Sequence, residues 1–137
     1  MARITLAKYR IQKATEILKE SEDAFKMNHL GNSLNRSYYA MFTAARSLLA
    51  LKELDSSKHS GIIALFNQHI IKTGLFPREL SQYLQKAKRL RENADYGDFV
   101  KISHQECYTQ IIAAKKFIQH AEESLLKLIK KLENNKK

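Results

Sequence analysis

Between Ser37 and Leu51 the chain carries a single charge, Arg46, in a stretch that is otherwise aromatic, apolar or small. At helical spacing, Leu34, Tyr38, Met41, Ala45, Leu48 and Leu49 form one face, while Ala40, Thr43, Ala44, Ser47 and Ala50 fill the other. A helix without a solvated side must be covered all round. It therefore lies at the centre of a bundle, or gives one face to a second subunit, or both. We expect both, because small residues let a partner helix approach closely and symmetric homodimers are the commonest oligomers.

The remaining sequence supplies the cover. One proline and four glycines in 137 residues leave too few turn-makers for a many-stranded sheet. Period and punctuation give five helices. The first spans about 4–27, with Ile4, Ala7, Ile11, Ala14, Leu18 and Phe25 on one stripe, and 28–32 turns the chain. The second spans about 33–54, followed by Asp55-Ser56-Ser57 as stop and N-cap residues. The third covers about 58–72. The fourth opens at Pro77 as a first helical residue and closes at Gly97. Ser103 and Glu106 form a capping-box pattern at the start of a long fifth helix ending near Leu132. Its apolar positions Ile111, Ala114, Ile118, Ala121, Leu125 and Ile129 face away from Lys115, Lys116, Gln119, Glu122 and Glu123. The expected fold is an all-α, up-and-down antiparallel bundle of about five helices, one domain over 1–132, with a basic, frayed tail at 133–137.

Charge and cysteine usage narrow the function. The formal net charge is +10, pointing to an anionic partner such as nucleic acid. Five lysines and one glutamate in residues 127–137 contribute +4 of it, where lysines also complement a helix dipole. The one cysteine, Cys107, reads as a small core residue and fits a reducing, cytoplasmic compartment. No transmembrane run, phosphate-binding glycine loop, His-Glu-x-x-His or nucleophile elbow occurs, so no metal, cofactor or membrane association is expected.

The anomaly lies in the fourth helix. Leu80, Tyr83, Leu84, Ala87, Leu90 and Ala94 define its inward face, and Arg91 falls within the same arc. A guanidinium there stays charged and needs an acceptor, and Asp95 stands one turn on. His59 shares an inward arc with Ile62, Ile63 and Phe66, and Asn35, Arg36 and Tyr39 precede the uncharged stretch. Two readings stay open. One is a buried polar network that fixes helix register. The other is a pocket in which arginine holds phosphate while a histidine or tyrosine moves protons or stacks on a base.

The blocks Asn35-Arg36-Ser37-Tyr38-Tyr39-Ala40, His59-Ser60-Gly61 and Arg91-Glu92-Asn93-Ala94-Asp95-Tyr96 resemble the HEPN superfamily, in particular its small stand-alone prokaryotic branch. The resemblance covers nearly the whole chain. It implies a helical-bundle homodimer, a minimal nucleotidyltransferase partner, a place in a toxin–antitoxin pair, and an RNA or nucleotide ligand. Active members are metal-independent RNases with an arginine followed, after four to six residues, by histidine. Arg91 matches that arginine, but the corresponding positions here are Tyr96, Gly97 and Asp98. The expected site is therefore Arg91 and His59 as catalytic candidates, with Asn35, Arg36, Tyr39, Asp95 and Tyr96 binding nucleotide or RNA. The alternatives are an RNase toxin in which His59 replaces the missing histidine, and a purely structural interaction module.

Overall fold

The computed structural model describes residues 2–97 and 101–135, and among these every regular element is helical. The elements are α1 (Ala2–Lys26), α2 (Leu30–Leu51), α3 (His59–Phe66) continued by one π-helical turn (Asn67–Ile71), α4 (Glu79–Tyr96) and α5 (His104–Asn134). The four long helices run alternately up and down, and α3 is a short insertion between α2 and α4. Arg3 donates to the Leu51 carbonyl and Arg10 to that of Arg46, which fixes α1 antiparallel to α2. Cys107 donates to the Leu30 carbonyl at 3.4 Å, which sets the start of α5 beside the start of α2.

Helix α2 is the axis of the bundle. Ala40, Ala44, Ser47 and Ala50, the small face that we expected to receive a second subunit, are all buried within the single chain. The covering helices explain why this stretch of α2 carries a single charge, and of the small residues on that face they leave Thr43 half-buried. On α1, Ala7, Ala14 and Ser21 recur every seven residues and are fully buried. This small-residue seam brings α1 close to α2. At its end the Ser21 hydroxyl meets the Ser33 carbonyl and the Ser37 hydroxyl, both at 2.7 Å, and Ser33 returns a bond to the Ser21 carbonyl at 3.0 Å. Each polar group in the seam thus has a partner inside it, as burial requires.

Helix ends depart from the expected boundaries for local reasons. α1 stops at Asn28 (φ 63°), where the amide of His29 bonds to the Ala24 carbonyl and that of Asn28 to the Phe25 carbonyl. That double bond is a Schellman cap. The turn is complete by His29, so Gly31 and Asn32 lie inside α2 rather than in a loop. α2 ends the same way at Glu53 (φ 56°), with Leu54 bonded to Leu49 and Glu53 to Ala50, three residues earlier than expected. Neither Ser56 nor Ser57 caps α3; Lys58 holds the N-cap position without a side-chain bond. The π turn, marked by the Lys72 amide on the Asn67 carbonyl, accompanies burial of two consecutive isoleucines, Ile70 and Ile71. Pro77 precedes α4 by two residues, and Gly97 closes it in an extended conformation (φ −85°, ψ 134°), not a left-handed one. Ser103 caps α5 through the Glu106 amide at 3.0 Å, and α5 runs two residues past Leu132.

The far end of the core is aromatic: Phe66, Phe76 and Phe117 meet with ring centroids 4.9–5.7 Å apart. Ser124 donates to the Leu75 carbonyl and ties the connection before α4 to α5. Cys107 is fully buried and its thiol is pushed up to about 11 by burial, which suits packing and not nucleophilic chemistry.

Candidate functional site

Tyr38 and Tyr39 are neighbours on α2, so they lie about 100° apart around the helix. Tyr38 is fully buried, and Tyr39 is half-buried. The guanidinium of Arg91, on α4, lies 5.6 Å from the centre of the Tyr38 ring and 5.3 Å from that of Tyr39. Arg36 approaches Tyr39 as well, at 5.2 Å. Tyr39 is therefore held by two cations, an arrangement attractive to each because a ring face is electron-rich. The Arg36 guanidinium is oriented by Asn35, whose Oδ1 accepts from Nε at 3.0 Å and Nη2 at 2.8 Å, and by Glu20 at 3.4 Å.

Arg91 is 14 % exposed, so its placement in the inward arc is real. Asp95, one turn on, accepts from Nε at 3.2 Å. The two terminal nitrogens of Arg91 have no hydrogen-bond partner among the described residues. A phosphate oxygen presented to those nitrogens would find the paired donors that arginine offers to anions.

His59 reaches the same tyrosines from α3. Its Nδ1 lies 3.2 Å from the Tyr38 hydroxyl, and its ring sits 4.4 Å from Phe42 and 5.6 Å, edge to face, from Tyr39. Burial and the positive charges of Arg91, Lys88 and Arg46 hold the imidazole below its ordinary pKa, opposed only by Glu92. His59 is thus neutral near pH 7, the form able to accept a proton. Burial moves the Tyr38 phenol well above its ordinary pKa, so it stays protonated as a hydrogen-bonding group. Nearby, the hydrogen bond from Lys88 (2.9 Å) holds Glu92 below the usual carboxylate range.

Asn35, Arg36, Tyr39, His59, Arg91 and Asp95 consequently form one connected patch contributed by three helices. Tyr96 ends α4, and its side chain lies outside the described residues. Two contributors were missed in the sequence. Tyr38 read as part of an apolar face, although a buried phenol needs a partner for its hydroxyl, which was the available signal. Phe42, the closest ring to His59, carried no signal beyond its hydrophobicity. No cluster of three His, Cys, Asp or Glu positioned for a metal ion occurs among the described residues. No helix among them is long and apolar enough to cross a membrane.

Comparison with known proteins gives a consistent picture. The family model for the HEPN domain matches residues 7–134. A "UPF0332 protein" of Thermotoga maritima is 32% identical over 117 residues, covering 85% of this chain and 89% of that protein. The UPF0332 protein glr0978 of Gloeobacter violaceus is 43% identical over 94 residues, 68% of this chain and 75% of its own. A protein of Methanocaldococcus jannaschii named "Putative toxin MJ0142" is 34% identical over 96 residues, 70% of this chain and 65% of that one.

Proposed function

The chain belongs to the HEPN domain family, and from that premise we propose that it binds RNA through the Arg91 patch, as a cytoplasmic homodimer and the toxin component of a toxin–antitoxin pair. The observation that carries the reading is the guanidinium of Arg91, set against two tyrosine rings and one carboxylate, with no partner for its terminal nitrogens among the described residues. Arg91 holds a phosphate, Asp95 orients Arg91, and Arg36 with Asn35 presents Tyr39 for stacking on a base. The toxin names of related proteins and the net charge of +10 support the same direction. A minimal nucleotidyltransferase is the partner this reading implies. The dimer surface is sought outside α2, where Leu6 and Tyr9 of α1 and Tyr108 and Ile112 of α5 are exposed.

A second reading, metal-independent RNA cleavage, is favoured by His59. The missing motif histidine is replaced in space by an imidazole that shares Tyr38 and Tyr39 with Arg91. Neutral His59 accepts the 2′-hydroxyl proton while the 2′ oxygen attacks the adjacent phosphorus. The bond to the 5′ oxygen breaks, that oxygen takes a proton from solvent, and a 2′,3′-cyclic phosphate remains. Arg91 stabilises the charge that builds on the phosphoryl oxygens.

Incubating the purified chain with total RNA and a chelator separates the two. Cleavage that survives chelation and disappears in folded Arg91→Ala and His59→Ala variants establishes the RNase. Salt-sensitive RNA binding lost in Arg91→Ala, without cleavage, leaves the binding role. No interaction with RNA at all overturns both.

A further inference from the structure

His59 also forms one wall of a cleft of about 600 Å³ between α2 and the start of α3, whose lining includes Phe42, Arg46, Asp55, Ser57 and Lys58. The charges in and behind this cleft do not balance. Arg46 Nη2 lies 3.4 Å from Asp55, and Arg10 Nη2 approaches the same carboxylate at 4.0 Å while Arg10 Nη1 donates to the Arg46 carbonyl. One carboxylate therefore serves two guanidinium groups. Lys58 has no acidic partner among the described residues, so the cleft itself sets two cations, Arg46 and Lys58, against one anion that it shares with Arg10 from outside the lining. The Nε of Arg46 is buried and has no acceptor. A buried donor attached to a charged group is costly to leave unpaired.

Structural stapling does not account for this arrangement. The Asp55 side chain is 58% exposed and its contacts are long, and such surface pairs contribute little to stability. They would leave Arg46 Nε unsatisfied in any case. An anion with several acceptor oxygens, held at the partly exposed Arg46 guanidinium and at Lys58, balances the excess charge. Phosphate fits, and His59, common to this cleft and to the Arg91 patch, makes the two sites continuous.

We infer that this cleft binds a second phosphodiester of the RNA strand held at Arg91, with Arg46 and Lys58 as its ligands and Asp55 as a resident carboxylate that the phosphate displaces. The inference rests on the RNA reading above and extends it from one phosphate contact to a path along the strand. Asp55 acts as an internal competitor: it keeps Arg46 oriented in the free protein and yields it to a better acceptor.

The opposite signs expected for neighbouring substitutions make the test sharp. Binding of a single-stranded decamer of uridine to the full chain is followed by fluorescence anisotropy over a salt series, with folding checked by circular dichroism. Arg46→Gln weakens binding about fivefold or more and makes the slope of log affinity against log salt shallower by about 0.7. Lys58→Gln, at an exposed position, weakens it by a smaller factor in the same direction. Asp55→Asn tightens binding by about fivefold. Should Arg46→Gln fail to fold, Lys58→Gln and Asp55→Asn decide between them. Binding that needs Arg91 but ignores Arg46, Lys58 and Asp55 overturns the inference and leaves the RNA reading standing. If the parent binds no RNA, inorganic phosphate is titrated while the His59 ring resonances are followed by NMR. Shifts lost in Arg46→Gln then support a free-phosphate site and sink the RNA reading; their absence overturns both.

Discussion

Two of the polar regions in the interior are built on opposite terms. The seam between α1 and α2 uses Ser21, Ser33 and Ser37, all fully buried, and its hydroxyls and carbonyls satisfy one another. The patch around His59 and Arg91 uses charged and aromatic groups, partly buried apart from Tyr38 and Phe42, and the terminal nitrogens of Arg91 have no partner among the described residues. A closed network of small groups costs little and fixes helix register. An open one carries unmet hydrogen-bonding capacity that a ligand can meet. Burial alone therefore does not distinguish the two regions; the pairing of their polar groups does.

The largest effect that would sharpen this contrast is at the seam. Ser21→Leu forces a bulky side chain into a close helix contact and strands the Ser37 hydroxyl, so it should cost about 3 kcal/mol or more in denaturant unfolding. A loss below about 1 kcal/mol would mean that the seam is not close-packed. At the patch the same kind of measurement should show little. Arg91→Ala removes a partly exposed i,i+4 pair and two ring contacts, and should lower stability by about 1 kcal/mol or less while RNA affinity falls at least tenfold. The reverse result, a severe loss of stability with RNA affinity kept, would make the patch architectural and dissolve the contrast.

A smaller effect is expected at Gly61. A Cβ there would collide with the Ser56 hydroxyl and lie 2.9 Å from the Ser56 Cβ. Gly61→Ala should therefore displace the turn before α3 at a cost of about 1–2 kcal/mol, and weaken RNA binding by moving His59. Unchanged binding would show that the position of α3 is not critical.

The smallest effect is in pH dependence. Because the folded-state pKa of His59 is lowered, the unfolded chain binds more protons as pH falls below the ordinary value of 6.5. Stability from this group is then lost on acidification from about pH 6.5 and levels off below the folded pKa. His59→Gln should abolish that component of the melting profile between pH 7 and 5. An identical profile in the variant would mean that His59 does not titrate differently on folding.

The sequence was informative where a pattern repeats locally. The periodicity of α5 and the charge-free stretch of α2 specify helices and a central one, and Arg91 could be recognised as a misplaced charge within one helical turn of Asp95. What escaped depends on distances between helices. Ser21 reads as polar until α1 is laid against α2, and the partnership of Tyr38 with His59 joins residues 21 apart in sequence. Asn28 falls where the sequence already placed a turn, but Glu53 could not be identified as a helix terminator from residue type, since its left-handed turn is held by the cap bonds across it. Glu53 in particular occupies a position that usually favours glycine.

The seam also bears on the order in which the molecule is made. Residues 2–51 form a hairpin of two helices across a short connection, so its contacts close small loops and need nothing C-terminal to register. This hairpin emerges before α3 and α4 during synthesis, whereas His59 and Arg91 join Tyr38 and Tyr39 only after those helices have followed. Assembly of the patch is thus a late event of folding, and a chain interrupted before α4 carries the hairpin without the arginine that gives the patch its charge.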